Sequence, residues 1–381
     1  MPVPQPFHIS ISDEDIADLH RRIDNTRWPD QLNDDNWSYG TDINYLKELV
    51  DYWRNDFDWR AAEARLNSFD HFLWGEEKKL HFIHQRSSHE NATPLIITHG
   101  WPGSIVEFLD IIEPLTQPEK FGGKAEDAFH VVCPSLPGYG WSTASDQPGM
   151  NTEAIAKGQI KLMAELGYDS YLAQGGDWGA MVTRHIGKLD PDHCRGIHLN
   201  MVIAFPPKGV EDPMAGVTEA EMAALGDSGE FTKDGMGYFK IQSTRPQTLG
   251  YGLADSPVGL CGWLTEKFRS WTDCDGEIRN AISWDALLTN ISLYWFTNTI
   301  CSSTRLYFED SNMAEVNEPL AVPTGAAIYP KELVRLPKTW IEASYDIVHF
   351  QTMEKGGHFA AMEQPTTFVT DLRAFRKTIE A

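Results

Sequence analysis

The sequence predicts an α/β protein built on a mostly parallel sheet flanked by helices. Three observations predict it. Short apolar runs bounded by turn residues recur at 80–84, 94–98, 129–133, 170–173 and 196–199, with two more at 322–329 and 346–350. Helical patterns separate several of them, such as 153–166, and a closing helix is expected over 367–379; strands alternating with helices form βαβ units. Finally, Gly175-Gly176-Asp177-Trp178-Gly179 joins the strand-like Tyr171-Leu172-Ala173 to a helical pattern over 180–186. Glycine on both sides of the central Asp lets the backbone turn tightly and approach itself.

Taken in order, the stretch to about residue 75 reads as helical and polar. Ser12 can cap a helix whose Asp13, Glu14 and Asp15 suit the positive end of its dipole. Ile16, Leu19 and Ile23 then recur on one face, and Trp28-Pro29 should end it. A second helix is expected over 43–53. No catalytic cluster falls here, so this stretch reads as a packing or dimerisation segment. The alternating strands and helices follow. Between them and the last two strands, 205–312 holds Pro/Gly-rich joins and helical patterns such as 284–296. It reads as an insertion over the sheet's C-terminal edge, where α/β folds place their ligand crevice. No internal repeat or low-complexity tract is evident.

Composition narrows the function classes. At 381 residues, with 41% hydrophobic residues and 13 Trp, the chain can bury a sizeable core. A net charge of −23 argues against a nucleic-acid partner and an anionic membrane surface. Five scattered Cys without C-x-x-C spacing fit a reducing compartment. The start, Met1-Pro2-Val3-Pro4-Gln5-Pro6, lacks a basic region followed by an apolar stretch, and no run is long enough to span a bilayer. A soluble, cytoplasmic protein is therefore expected, and the glycosylation-type triplets at Asn36, Asn91 and Asn290 read as chance matches.

The chemistry rests on three motifs. Asp177 stands at the turn where a nucleophilic Ser is usual. A carboxylate suits attack at saturated, electrophilic carbon, and the ester it forms can be hydrolysed at its own carbonyl. A Ser that opened an epoxide would be left as an ether, which water does not readily cleave. His99-Gly100-Trp101-Pro102-Gly103-Ser104 follows the strand at 95–98. A loop at this place shares an oxyanion hole with the amide after the nucleophile, here the amides of Trp101 and Trp178. Each such donor contributes on the order of 3 kcal/mol to a transition state. His99 itself reads as a structural hydrogen-bonder of the turn. Gly356-Gly357-His358-Phe359 supplies a base, since the order nucleophile, acid, His is that of the α/β-hydrolases. Glu332, just past Ala327-Ile328, fits the acid that orients His358. Asp346 is a rival at the start of the last strand, and Glu342 a weaker one.

On these residues the chain resembles an epoxide hydrolase of the α/β-hydrolase superfamily, in the microsomal-type branch with an N-terminal epoxide hydrolase region. The likeness covers nearly the whole chain. It includes Thr26-Arg27-Trp28-Pro29, His81-Phe82-Ile83-His84, Leu136-Pro137-Gly138-Tyr139-Gly140-Trp141-Ser142, Ser243-Thr244-Arg245-Pro246 and Asp255-Ser256-Pro257-Val258-Gly259-Leu260 beside the three motifs. The resemblance implies an α/β-hydrolase fold with an N-terminal helical extension over 1–75, core over 76–204 and 313–381, and a helical lid over 205–312. It also implies two lid tyrosines that hydrogen-bond the epoxide oxygen; Tyr238 and Tyr307 match them, and Tyr251 fits less well. No anchor helix is expected, and in this the chain would depart from the membrane-bound members. The implied reaction turns an epoxide into a vicinal diol through an ester on Asp177, with no cofactor and no metal. Its partners would be a small apolar epoxide and water, with a homodimer through the N-terminal segment an open expectation. Trp263, Phe268, Trp271 and Phe296 are expected to line the pocket. A haloalkane dehalogenase with the same nucleophile is the nearest competing reading, and a non-catalytic ligand-binding protein on the same fold a more remote one.

Overall fold

The computed structural model describes residues 3–33, 37–310 and 318–380. Its centre is a nine-stranded sheet in the order β1-β2-β3-β5-β4-β6-β7-β8-β9. The strands are β1 (Gln5–Phe7), β2 (His71–Trp74), β3 (Leu80–Gln85), β4 (Thr93–Thr98), β5 (Phe129–Pro134), β6 (Tyr171–Gly175), β7 (Cys194–Leu199), β8 (Leu320–Ile328) and β9 (Tyr345–Thr352). From β5 across to β9 all neighbours are parallel, whereas β1, β2 and β3 form an antiparallel edge against β5. Strands β5 and β6 are buried at every position, which is why they read as continuous apolar runs rather than alternating ones.

Fifteen helices are described: α1 (Asp13–Asp24), α2 (Ile43–Asn55), α3 (Trp59–Leu66), α4 (Leu109–Thr116), α5 (Thr152–Glu165), α6 (Trp178–Leu189), α7 (Glu219–Glu230), α8 (Gly237–Gln242), α9 (Pro246–Asp255), α10 (Pro257–Trp271), α11 (Trp284–Thr297), α12 (Ile300–Glu309), α13 (Lys338–Ser344), α14 (Ala360–Glu363) and α15 (Pro365–Glu380). Helices cover both faces of the sheet. Ile197 of β7 lies against α6, while Gly196 lies against Phe375 of α15, as the two-residue period of a strand requires. Helices α7 to α12 all fall between β7 and β8.

The N-terminal stretch is not purely helical, contrary to the sequence expectation. It contributes β1 and β2 to the sheet edge, and α1 stops at Asp24, capped at its start by Ser12, well before Trp28. Its helices lean on the insertion. The Trp53 indole N–H donates to Ser292 Oγ at 3.0 Å, Tyr52 donates to Asp285 at 2.8 Å, and Trp59 packs on Phe296 with ring centres 4.7 Å apart. The triplet at Asn36 and the expected boundary between 312 and 313 lie outside the described residues. Among the described residues no helix is long and apolar enough to cross a membrane.

Sheet register sets the site. Thr98 of β4 pairs with Gly175 of β6, so the loops carrying Trp101 and Asp177 leave from the same rung. Ile328 of β8 pairs with Thr352 of β9, and a further bridge joins Lys331 to Gly357, beside Glu332 and His358. The chain runs from β4 outward to β5 on one side and returns to β6 on the other. Such a reversal of direction opens a crevice at the strands' carboxyl ends.

Candidate active site

Asp177 occupies the turn between β6 and α6 with φ 51° and ψ −131°. A non-glycine residue in that region stores roughly 1–3 kcal/mol of strain. Close backbone contacts hold it there. A Cβ on Gly179 would stand 1.9 Å from the Thr98 carbonyl oxygen, and one on Gly100 would stand 2.1 Å from Asp177 Oδ1. Only glycine lets the two loops meet at this distance. The Trp101–Pro102 peptide in the facing loop is cis.

The Trp101 N–H donates to Asp177 Oδ1 at 2.8 Å. The Trp178 N–H lies in the first turn of α6, where helical N–H groups have no intrahelical partner. His358 Nε2 is 3.3 Å from Asp177 Oδ2, and His358 Nδ1 is 2.7 Å from Glu332 Oε1. The Leu333 N–H donates to that same Glu332 oxygen at 2.7 Å. The histidine and the glutamate are each 2% exposed through their side chains, but Asp177 keeps 16%, so it is the member open to a ligand. Burial alone would lower the pKa of His358. The charges of Glu332 and Asp177 and their hydrogen bonds outweigh it and hold the imidazole well above its usual value. With the imidazole protonated, both ring nitrogens donate, one to each carboxyl group.

Aromatic rings form the other wall. Tyr238 of α8 stacks nearly parallel on Trp101, with centres 5.4 Å apart. Tyr307 of α12 meets Trp178 edge-on at 4.8 Å, and the two tyrosine rings are 5.8 Å apart. The Tyr307 hydroxyl is buried beside the Tyr238 hydroxyl and the Trp178 indole, and makes no well-formed hydrogen bond among the described residues. Burial raises the pKa of both phenols, so at neutral pH each is a donor. Trp271 bridges the wall, 5.0 Å from Tyr238 and 5.1 Å from His358.

These contacts join all seven residues singled out from sequence into one cluster. Glu342 and Asp346 are exposed, and Glu342 pairs with Lys338. His99 is a turn residue as expected: it accepts from the Leu136 N–H at 3.1 Å, and burial lowers its pKa to about 4. Tyr251 is 71% exposed. The expected pocket lining needs correction. Phe296 packs on Trp59 of α3, and Phe268 stacks on Phe359 at 4.2 Å, behind the His358 loop. Trp263 is half-buried and donates to Gln242 at 3.2 Å; of the four, Trp271 reaches His358.

Two carboxyl groups escaped the sequence reading. Glu363 accepts from the Asp273, Gly357 and Phe359 amides at 2.7, 2.9 and 3.0 Å, so it pins the residues on both sides of His358. Burial pushes its pKa up to about 7 against the pull of those amides. Glu107 lies beside Asp177 and His358. The available signal was a lone charge inside an apolar run, Ile105-Val106-Glu107-Phe108 and Ala360-Ala361-Met362-Glu363. Among the described residues no group of three or more His, Cys, Asp or Glu could hold a metal ion.

A profile described as "Epoxide hydrolase N terminus" matches residues 4–108, and one described as "alpha/beta hydrolase fold" matches 93–234. The chain is 40% identical to "Epoxide hydrolase 1" of Sus scrofa, over 99% of this chain and 89% of that one. It superposes on the crystal structure of juvenile hormone epoxide hydrolase from Bombyx mori with a TM-score of 0.92 at 31% identity, over 100% and 95% of the two chains. On the Aspergillus niger epoxide hydrolase the TM-score is 0.89 at 32% identity, over 99% and 96%.

Proposed function

This chain belongs to the epoxide hydrolases of the α/β-hydrolase superfamily, and from that premise we propose which of its residues carry the reaction. The reaction is hydrolysis of an epoxide by water to a vicinal diol; the relatives lend no support to a dehalogenase. In our reading Asp177 is the nucleophile, His358 the base, Glu332 its orienting acid, Tyr238 and Tyr307 the donors to the epoxide oxygen, and the Trp101 and Trp178 amides the oxyanion hole. The observation that carries this is the Asp177 carboxylate held by the Trp101 N–H at 2.8 Å and faced by His358 at 3.3 Å.

Asp177 Oδ2 attacks a ring carbon, the carbon–oxygen bond breaks, and a tyrosine proton passes to the alkoxide. The product is a hydroxyalkyl ester with Oδ1 as its carbonyl oxygen, already beside the Trp101 amide. Esterification removes one of the two charges that keep His358 protonated. The imidazolium then gives its proton, through solvent, to the tyrosinate left by ring opening, and the free imidazole takes one from water, whose oxygen attacks the ester carbon. The oxyanion forms where the Trp101 and Trp178 amides converge. It collapses, the diol leaves with a proton, and Asp177 is restored.

Residues 205–312 act as a lid in this reading, and 1–75 as the extension that supports it. Support comes from the rings of Trp101, Trp178, Tyr238, Trp271 and Tyr307, which pack on one another beside the Asp177 turn and favour apolar substituents on the epoxide. The His358→Gln variant tests the assignment. After brief exposure to styrene oxide, peptide mass spectrometry should find an adduct on the peptide containing Asp177, with almost no diol released. Rapid diol turnover by that variant would refute the base role, and an adduct elsewhere would refute the nucleophile.

A further inference from the structure

A cavity of about 10 Å³ lies under the Asp177–His358 pair, lined by Asp177, His358, Glu107, Asn200, Trp101 and Phe359 among others. Room for one water takes roughly 10–15 Å³ by this measure, with two to four polar partners. Four of these six residues offer polar side chains, and two are the pair between which the hydrolytic water must act. Asn200 is 6% exposed, and its Oδ1 is fixed by the Gln174 amide at 2.8 Å.

Glu107 is the unexplained member. It follows Ser104 in a single 3-10 turn, Ile105–Phe108, whose other three residues are buried and apolar. No Lys or Arg pairs with it among the described residues; it is half-buried, and its carboxyl has the Ser104 backbone as a hydrogen-bond partner. Its position depends on a neighbouring glycine: a Cβ on Gly103 would stand 1.5 Å from Glu107 Oε1. Burial pushes its pKa up to about 8, against the pull of His358 and with the push of Asp177 and Glu363. The raised pKa favours the uncharged acid, whose carbonyl oxygen accepts a hydrogen bond without repelling Asp177.

We infer that Glu107 is a positioning residue for the second half of the reaction, holding the hydrolytic water against the ester carbon of Asp177. Water gives one proton to His358 Nε2, and its other hydrogen is held by a Glu107 oxygen. That fixes the oxygen lone pair on the carbonyl carbon. The inference rests on the assignment of Asp177 and His358 above. Glu107 takes no part in the first half, because ring opening uses no water.

The test separates the two halves. Glu107→Ala, Glu107→Gln and Gly103→Ala are mixed with styrene oxide, quenched at intervals, and read by mass spectrometry on the peptide containing Asp177. Glu107→Ala should alkylate within about two-fold of wild type but lose the ester on the order of 10²-fold more slowly, the scale of a misplaced reactant. Glu107→Gln keeps an acceptor oxygen and should restore most of that loss. Gly103→Ala pushes the carboxyl aside and should behave like Glu107→Ala. Ester decay at the wild-type rate in Glu107→Ala would overturn the inference alone. So would equal slowing of both halves with no rescue by Gln, which is how a purely structural role would look. Failure of His358→Gln to form any Asp177 adduct would overturn the assignment beneath it.

Discussion

On the sheet side of the site, Asp177, His358 and Glu332 sit at strand ends and are joined at 3.3 and 2.7 Å. On the helical side, Tyr238 and Tyr307 stand on α8 and α12, positioned by ring contacts with Trp101, Trp178 and Trp271. The first group is charged and locked by backbone amides. The second is neutral, and the Tyr307 hydroxyl makes no well-formed hydrogen bond among the described residues. The difference matches two demands. A nucleophile and base must keep one geometry through two steps, which rigid strand ends supply. Donors to an epoxide oxygen must be unspent until the substrate arrives, and a hydroxyl satisfied within the protein would have to break that bond first.

The contrast can be broken from either side. The largest effect should come from the sheet side. Asp177→Asn removes the nucleophile's charge, so diol formation should fall by at least about 10⁴-fold, and no adduct should appear on that peptide. Residual turnover above that level would mean that attack by water, not by the carboxylate, opens the ring. On the helical side the loss should be smaller and confined to alkylation. Tyr307→Phe should slow ester formation by about 10²-fold, as removal of one oxyanion-type donor does, while ester decay stays at the wild-type rate. Loss of both hydroxyls should exceed either single loss. If Tyr307→Phe slowed decay instead, the division of labour between the two sides would be wrong.

What could be read from sequence follows the same division. On the sheet side, Asp177, His358 and the Trp101 loop sit in contiguous motifs fixed by backbone demands, whereas Glu332 was marked only by its place after a strand, with Asp346 and Glu342 as rivals. The interior strands were legible because burial on both faces leaves an unbroken apolar run. The edge was not: β1 has three residues, and β2 carries His71, which looks polar but is buried against His81 with their nitrogens 2.9 Å apart. Phe296 was misplaced because α11 is apolar nearly all round. Such a helix shows that it is buried without showing which neighbour each face meets. Glu107 and Glu363 belong to no motif, and their role depends on loops from distant parts of the chain.

The smallest predicted effect tests how the two halves are coupled. With Asp177 ionised, His358 is held protonated by two carboxylates against the opposing effect of burial. Once the ester forms, Glu332 is the main group that still raises the imidazole pKa, so the value falls and the free base becomes available. Ester decay in single-turnover experiments should therefore rise with pH through that lowered pKa and then level off. Glu332→Gln removes the remaining charge and leaves burial dominant. The inflection should move to lower pH, and the plateau should drop on the order of 10²-fold because the ring loses its orienting partner. An inflection that moved to higher pH would mean that Glu332 does not stabilise the imidazolium. A plateau unchanged from wild type would mean that the 2.7 Å contact to His358 orients nothing that hydrolysis needs.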